Sequence, residues 1–268
     1  MSYTYLGPSS NASNSGRYSV TLKLYRDCNT DGAQLDANAT ITIYPGGSSS
    51  FFANRSIPLT SKETISLVNP DPCISNPPVI CYEVGYYTFE IDLPFSPSGY
   101  AISYQRCCRI DGIFNVVNSQ NAGVTYTANI PGTGSGANAP ANSSPVFKTS
   151  DTVVICANNY FMYDFAAVDA DKDELSYQFE EAYLGGTTMG PAPTVASAPP
   201  YNSLNYNFGF SAQSPLGPLV QINANTGIIT GTAPVAGIYV ITVAVVEKRN
   251  GQLINVHRKD LHLKIADC

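Results

Sequence analysis

Between residues 17 and 28 the side chains alternate without interruption. Tyr18, Val20, Leu22 and Leu24 fall on one parity, Ser19, Thr21, Lys23 and Tyr25 on the other. Only an extended backbone places every second residue on one face, so this segment is expected to be a strand with a single buried side. Shorter segments of the same kind recur at 39–44, 50–57, 64–68, 84–93, 100–109 and 124–130, divided by clusters of Gly, Pro, Asn and Ser. A second series follows at 152–156, 160–166, 175–179, 206–210, 219–222, 228–230, 237–247 and 253–265. Short strands at this spacing, with no long 3.6-residue period anywhere, predict an all-β chain built as two antiparallel β-sandwiches in tandem.

The break between the two series lies in residues 131–141, a low-complexity stretch of Pro, Gly, Ser, Ala, Thr and Asn. Such composition marks a linker, which divides the chain into 1–140 and 141–268. Residues 185–203, rich in Pro, Gly, Ala and Thr, are expected to form a long surface loop. Asn225-Thr226-Gly227 between apolar runs predicts a β-hairpin turn.

Composition removes several function classes. Only 13% of the 268 residues are charged, against about 25% in an average soluble domain, and the net charge is −6. No basic stripe exists to neutralise phosphates, so nucleic acid is excluded as a partner. No run of about 18 apolar residues is present, so no membrane span is expected. Seven cysteines in a weakly charged, Ser- and Thr-rich chain point to an oxidising, extracellular compartment. Met1-Ser2-Tyr3-Thr4-Tyr5 has neither a basic nor an apolar targeting segment, so an export signal is expected to have been removed or to lie upstream.

No cysteine spacing matches a zinc site. Within 100–109, Cys108 shares the parity of Ile102 and Tyr104, which makes Cys28–Cys108 the most economical buried cross-link and turns Cys107 to the opposite face. Cys107 and Cys108, being adjacent, are expected to serve different partners. Cys73 and Cys81 bracket a loop short enough for its own disulfide, and Cys156 and Cys268 stand at the two ends of the second series. An odd count leaves one thiol free or directed to another chain.

Asp169-Ala170-Asp171-Lys172-Asp173 leads directly into Glu174-Leu175-Ser176-Tyr177-Gln178-Phe179. Carboxylates at every second position share one side of an extended chain, and an all-oxygen set suits a hard cation such as Ca²⁺. An EF-hand is excluded, because loop position six is Glu174 instead of Gly and the following segment alternates as a strand. The two histidines, His257 and His262, have an odd separation that puts them on opposite faces of a strand, so they share neither metal nor substrate. No Ser-His-Asp or Cys-His arrangement is suggested, and the chain is expected not to be an enzyme. Two alternatives stand beside a structural role. One is a carbohydrate-binding module using some of the 18 tyrosines, although there is no Trp and most Tyr fall within strand patterns; the other is a subunit of an extracellular filament.

Several phrases resemble one known family. They are Val20-Thr21-Leu22-Lys23-Leu24-Tyr25-Arg26-Asp27-Cys28-Asn29, Cys107-Cys108-Arg109, Asn142-Ser143-Ser144-Pro145-Val146-Phe147, the 169–177 run and Val246-Glu247-Lys248-Arg249-Asn250-Gly251. Together they resemble the repeating module of Bacteroidetes cell-surface proteins, the gliding-motility and type 9-secreted adhesins. The second half separately resembles cadherin-like and Ig-like domains. That resemblance implies a surface module arrayed with sister modules, with surface glycans as further partners. It implies Ca²⁺ held by Asp169, Asp171 and Asp173, with Glu247, Asp260 and Asn142 as additional ligands. Two departures stand out: Lys172 replaces a usual Gly, and Ala141 replaces a usual Cys, which leaves Cys107 as the expected unpaired thiol. Asp151-Thr152-Val153 is similar to the O-glycosylation pattern of exported proteins of this phylum, which makes Thr152 the candidate.

Overall fold

A computed structural model describes residues 1–30, 32–67, 74, 78–148 and 151–268. In the first half the strands are β1 (Ser2–Pro8), β2 (Ser15–Asp27), β3 (Asn38–Pro45), β4 (Ala53–Pro58), β5 (Ser61–Ser66), β6 (Cys81–Pro94), β7 (Tyr100–Arg106) and β8 (Val124–Ile130). They form two four-stranded sheets, β1-β2-β6-β5 and β4-β3-β7-β8, all antiparallel. Alternate residues of facing strands fill the space between the sheets. Tyr18, Val20 and Leu22 of β2 meet Ile41 and Ile43 of β3, Tyr87 and Ile91 of β6, and Ile102 of β7. This is the inward parity expected from the alternating segment at 17–28.

The second half holds β9 (Val146–Phe147), β10 (Val154–Cys156), β11 (Tyr160–Asp164), β12 (Ala167–Val168), β13 (Glu174–Phe179), β14 (Val220–Ile222), β15 (Ile228–Thr232), β16 (Gly237–Arg249) and β17 (Gln252–Ala266). The sheet β10-β17-β16-β13 packs through Tyr239, Ile241, Val243 and Val245 against Phe161, Tyr163 and Ile229 of the sheet β11-β15-β14. Its spine is the β16–β17 hairpin, closed by Asn250 and Gly251 at φ 53° and 76°. Asn-Gly in two successive left-handed conformations matches the twist of the flanking strands. The Asn225-Thr226-Gly227 turn joins β14 to β15, and Gly227 at φ +73° lies against the Tyr177 ring.

Several sequence expectations are corrected. Residues 206–210 do not form a strand. Phe210 N–H closes a turn onto the Asn207 carbonyl at 3.0 Å, and Tyr206 makes only an isolated bridge to Val116. Residues 131–141 are no free linker, because their 3₁₀ turns dock on the first sandwich and Tyr18 OH donates to the Pro140 carbonyl at 2.7 Å. Residues 185–203 do form a long surface loop, but a docked one. They cross the face of the β4-β3-β7-β8 sheet, where Asn54 Nδ2 donates to the Thr194 carbonyl (2.8 Å), Ala196 N–H to Thr42 Oγ1 (2.9 Å) and Ser197 N–H to Gln105 Oε1 (2.9 Å).

The disulfides also differ from expectation. Cys28 joins Cys81, not Cys108. The β2–β6 register runs from Ser15↔Pro94 to Asp27↔Tyr82, so the next pair along is 28 with 81; β7, with Cys108 beyond its end, belongs to the other sheet. The proposed Cys73–Cys81 clip is therefore ruled out, and Cys73 itself lies outside the described residues. Cys107 is not free. It is joined to Cys108 across a cis peptide that brings their Cα atoms to 3.0 Å. Cys156 joins Cys268 and ties the end of β10 to the residues after β17.

The two halves interlock by exchanging loops. While 185–203 lies on the first half, residues 106–122 lie on the second, and Ile113, Val116 and Ala122 form a shared apolar cluster with Ala182, Leu204 and Val240. A Cβ on Gly123 would collide with the Gly185 carbonyl, so the crossing needs glycine there. At its centre Asn115, 0% exposed, donates to the Pro215 and Val240 carbonyls (both 2.8 Å) and accepts from Val240 N–H (3.0 Å). Asn115→Ala strands the Val240 amide in a dry seam, and we expect it to lower the unfolding free energy by about 2–4 kcal/mol in a urea melt. An unchanged midpoint would show that the latch contributes nothing to holding the halves together.

Candidate metal centre

The acidic run is not extended. Asp169 Oδ1 accepts the backbone N–H groups of Asp171 (2.8 Å) and Asp173 (3.0 Å), which curls the chain into an Asx-type turn. Lys172 occupies the left-handed region at φ 64°, a conformation that favours Gly, and its side chain is exposed. The curl turns Asp169 and Asp173 toward the end of β16 while Asp171 faces outward, where its Oδ2 accepts Ser143 N–H at 2.6 Å.

Glu247 comes to the same place from β16. Tyr239, Ile241, Val243 and Val245 point into the core, and Glu247 is the next residue of that parity, fully buried where the apolar core ends. A bulge between Glu247 and Lys248 follows it. Carboxylate oxygens of Asp169, Asp173 and Glu247 lie within 4.8 Å of one another. The apolar parity of 239–245 is the sequence signal that Glu247 faces inward.

The surrounding groups hold this cluster in place. Asn142 Nδ2 donates to Glu247 Oε2 at 2.7 Å and to Tyr3 OH at 3.0 Å, and Tyr3 OH also accepts from Asn255 Nδ2 at 3.1 Å. Arg249 grips Asp173 with two bonds of 2.7 Å and donates to Asn142 Oδ1 at 2.9 Å. Asn142 therefore orients Glu247 and Arg249, with its amide oxygen already engaged, and is not placed as a ligand. Ser144 N–H donates to the Tyr3 carbonyl at 2.9 Å, which fastens β1 to the same segment. The roles of Tyr3 and Arg249 were not legible beforehand, because nothing local links residue 3 or 249 to an aspartate turn.

Asp260 is not part of the cluster. It forms a two-pronged pair with Arg109 (2.7 and 3.2 Å), with side chains 9% and 1% exposed, across the seam between the halves. β17 alternates, so Leu261 and Leu263 face the second core while Asp260 faces the first half. Thr152, the candidate for an O-linked sugar, is 8% exposed. His257 and His262 sit on opposite faces of β17, and burial pushes their pKa values down to about 3 and about 4.

Four carboxyl groups crowd one guanidinium, and two of their oxygens, Asp169 Oδ2 and Glu247 Oε1, are buried with no hydrogen-bond partner. Buried unpartnered acceptors are uncommon in native proteins and are satisfied by a proton, a water or a cation. An all-oxygen set with this spacing fits Ca²⁺, whose ligands lie about 2.3–2.6 Å from the ion and hence up to about 5 Å from each other. Asp169, Asp173 and Glu247 would hold it. Without a cation, burial first and then the neighbouring aspartates raise Glu247 to about 8, and burial likewise raises Asp169.

No family model matches the chain, and no curated protein sequence matches it. Among solved structures it is similar to the mouse nectin-like molecule 4 full ectodomain (Ig1–Ig3), at 7% identity and a TM-score of 0.24. The match covers 99% of this chain, which spans 63% of the length of that ectodomain. Likeness at this level carries no functional argument.

In the cation-free protein a Glu247 pKa raised from 4.5 to about 8 means that the native state holds more protons than the unfolded chain between those values. Stability then falls as pH rises from about 4.5 to about 8, by on the order of 3 kcal/mol. Melts in chelator should show this slope, and Glu247→Gln should flatten it and melt higher than wild type at pH 8. A slope retained in Glu247→Gln would place the responsible group elsewhere.

Proposed function

We propose that the chain is a non-enzymatic structural module of an extracellular surface adhesin or filament, organised as two sandwich units, 1–140 and 141–268, and stiffened by Ca²⁺ and disulfides. The orphaned buried oxygens of Asp169 and Glu247 carry the cation part of this reading. Their place, against the segment 142–144 that joins the halves and beside Tyr3 of β1, carries the mechanical part. A cation there neutralises carboxylates that otherwise repel, and it clamps the aspartate turn, the end of β16 and the connecting segment together. The disulfides support an oxidising, extracellular location. Among the described residues no helix is long and apolar enough to cross a membrane. Sister modules in a tandem array, as in the gliding-motility and type 9-secreted proteins that the sequence resembles, are the partners such a module would have.

A carbohydrate-binding role is the second reading. A cleft of about 720 Å³ between the halves is lined by Tyr25, Tyr82, Tyr126 and Tyr183 together with Arg and Asp side chains, and aromatic faces with mixed polar groups suit sugars. Glycan-array binding lost on Tyr183→Ala would favour it.

For the structural reading, thermal melts with Ca²⁺ and with chelator are decisive. At a free Ca²⁺ about 100-fold above its dissociation constant, the folded state should gain about 2.7 kcal/mol. Asp169→Asn should abolish the shift. Coincident transitions with and without the ion would leave the acidic run as a turn that binds nothing.

A further inference from the structure

Lys259 occupies an inward position of β17. It shares the parity of His257, Leu261, Leu263 and Ile265, which face the second core, so a cation stands where the pattern calls for an apolar residue. Its Nζ lies 5.0 Å from the ring centre of Phe147 and 5.4 Å from that of Phe165. Against these rings the ammonium meets one carboxylate, that of Asp151, and touches its Oδ1. Oδ1 is buried, and the ammonium lies directly against it. The other oxygen, Oδ2, accepts from the Tyr25 hydroxyl and lies 3.5 Å from Lys23 Nζ, both on β2 of the first half. Nitrogen and carboxyl group are thus pressed together beside two aromatic rings.

We propose that Lys259 and Asp151 are joined by an intramolecular isopeptide bond, formed autocatalytically after folding. In the proposed step one ammonium proton moves across the contact to Oδ1, giving an amine and a carboxylic acid. Nζ then attacks Cγ. The Nζ–Cγ bond forms, the Cγ–Oδ1 bond breaks, and Oδ1 departs as water carrying the acid proton and one amine proton. Tyr25 touches the reacting group and donates to Oδ2, where negative charge builds in the tetrahedral intermediate and which becomes the amide oxygen. Holding nucleophile and electrophile in contact supplies the proximity that such a condensation lacks in water. No oxidant, metal or cofactor is required.

The bond would tie the segment entering β10 to the last strand, which β10 meets in parallel, on the same two chain regions that Cys156–Cys268 joins. Unlike that disulfide it survives reduction, and it does not depend on the cation site, so the two ideas fail separately. Intact-mass measurement of the reduced chain tests it. The wild type should weigh one water less than its sequence, Lys259→Arg and Asp151→Ala should each weigh their full sequence mass, and proteolysis should yield a branched peptide linking residues 151 and 259. A wild type at full mass, a water loss that persists in Lys259→Arg, or a branch carried by Lys23 overturns the assignment.

Discussion

Glu247 is a carboxylate sealed from water at the point where the two halves meet, and the surrounding structure is arranged to answer it. Moving a charge out of water is costly unless partners compensate, and removing one partner of a buried network leaves the others exposed to the full penalty. Here the partners come from four separate stretches: Tyr3 of β1, Asn142 of the connecting segment, the 169–173 turn, and Arg249 and Asn255 of the β16–β17 hairpin. A network assembled from such distant parts exists only when the whole chain is folded. The geometry of the seam and the chemistry of the acidic site are therefore one problem.

The seam does not rely on that network alone. Two domains joined by a linker move relative to each other by default unless the interface is large and apolar. This chain instead sends one loop from each half onto the other, with the cluster around Ile113, Leu204 and Val240 between them and the buried Arg109–Asp260 pair nearby. Such an interlock resists both hinge and shear, because either motion has to expose apolar surface and break the bonds of Asn115. A cation at the 169–173 turn would add a second clamp some way along the same boundary, and the disulfides limit unravelling within each half.

Much of the architecture was legible locally. The alternation at 17–28, 84–93, 124–130, 237–247 and 253–265 corresponds to strands within a few residues, and the turn at 225–227 is where it was expected. β1 was missed because Tyr3 and Tyr5 give only two apolar positions before Gly7 and Pro8 end the pattern. Residues 206–210 were mistaken for a strand because alternating aromatics there satisfy side-chain contacts, Phe210 on Phe114 and Tyr239, without any backbone ladder. Of the acidic site, the residue types were visible, together with Glu247 as a contributor. The division of labour was not: Asn142 orients, Asp171 binds the connecting backbone, and Asp260 pairs with an arginine 151 residues away.

Period two is a property of neighbouring residues, so the sequence by itself determined that this is an all-β protein, where its hairpins turn, and that acid clusters at one turn. Partnership between strands is a property of the folded chain. Which of Cys28's candidates lies opposite it follows from the β2–β6 register, and which face of β17 meets the first half follows from how the sandwiches dock. Those contacts span tens to hundreds of residues and are set by packing two cores at once. That is why tertiary structure alone decided the disulfides, the interlocked loops, the burial of Glu247 and the partners of Lys259.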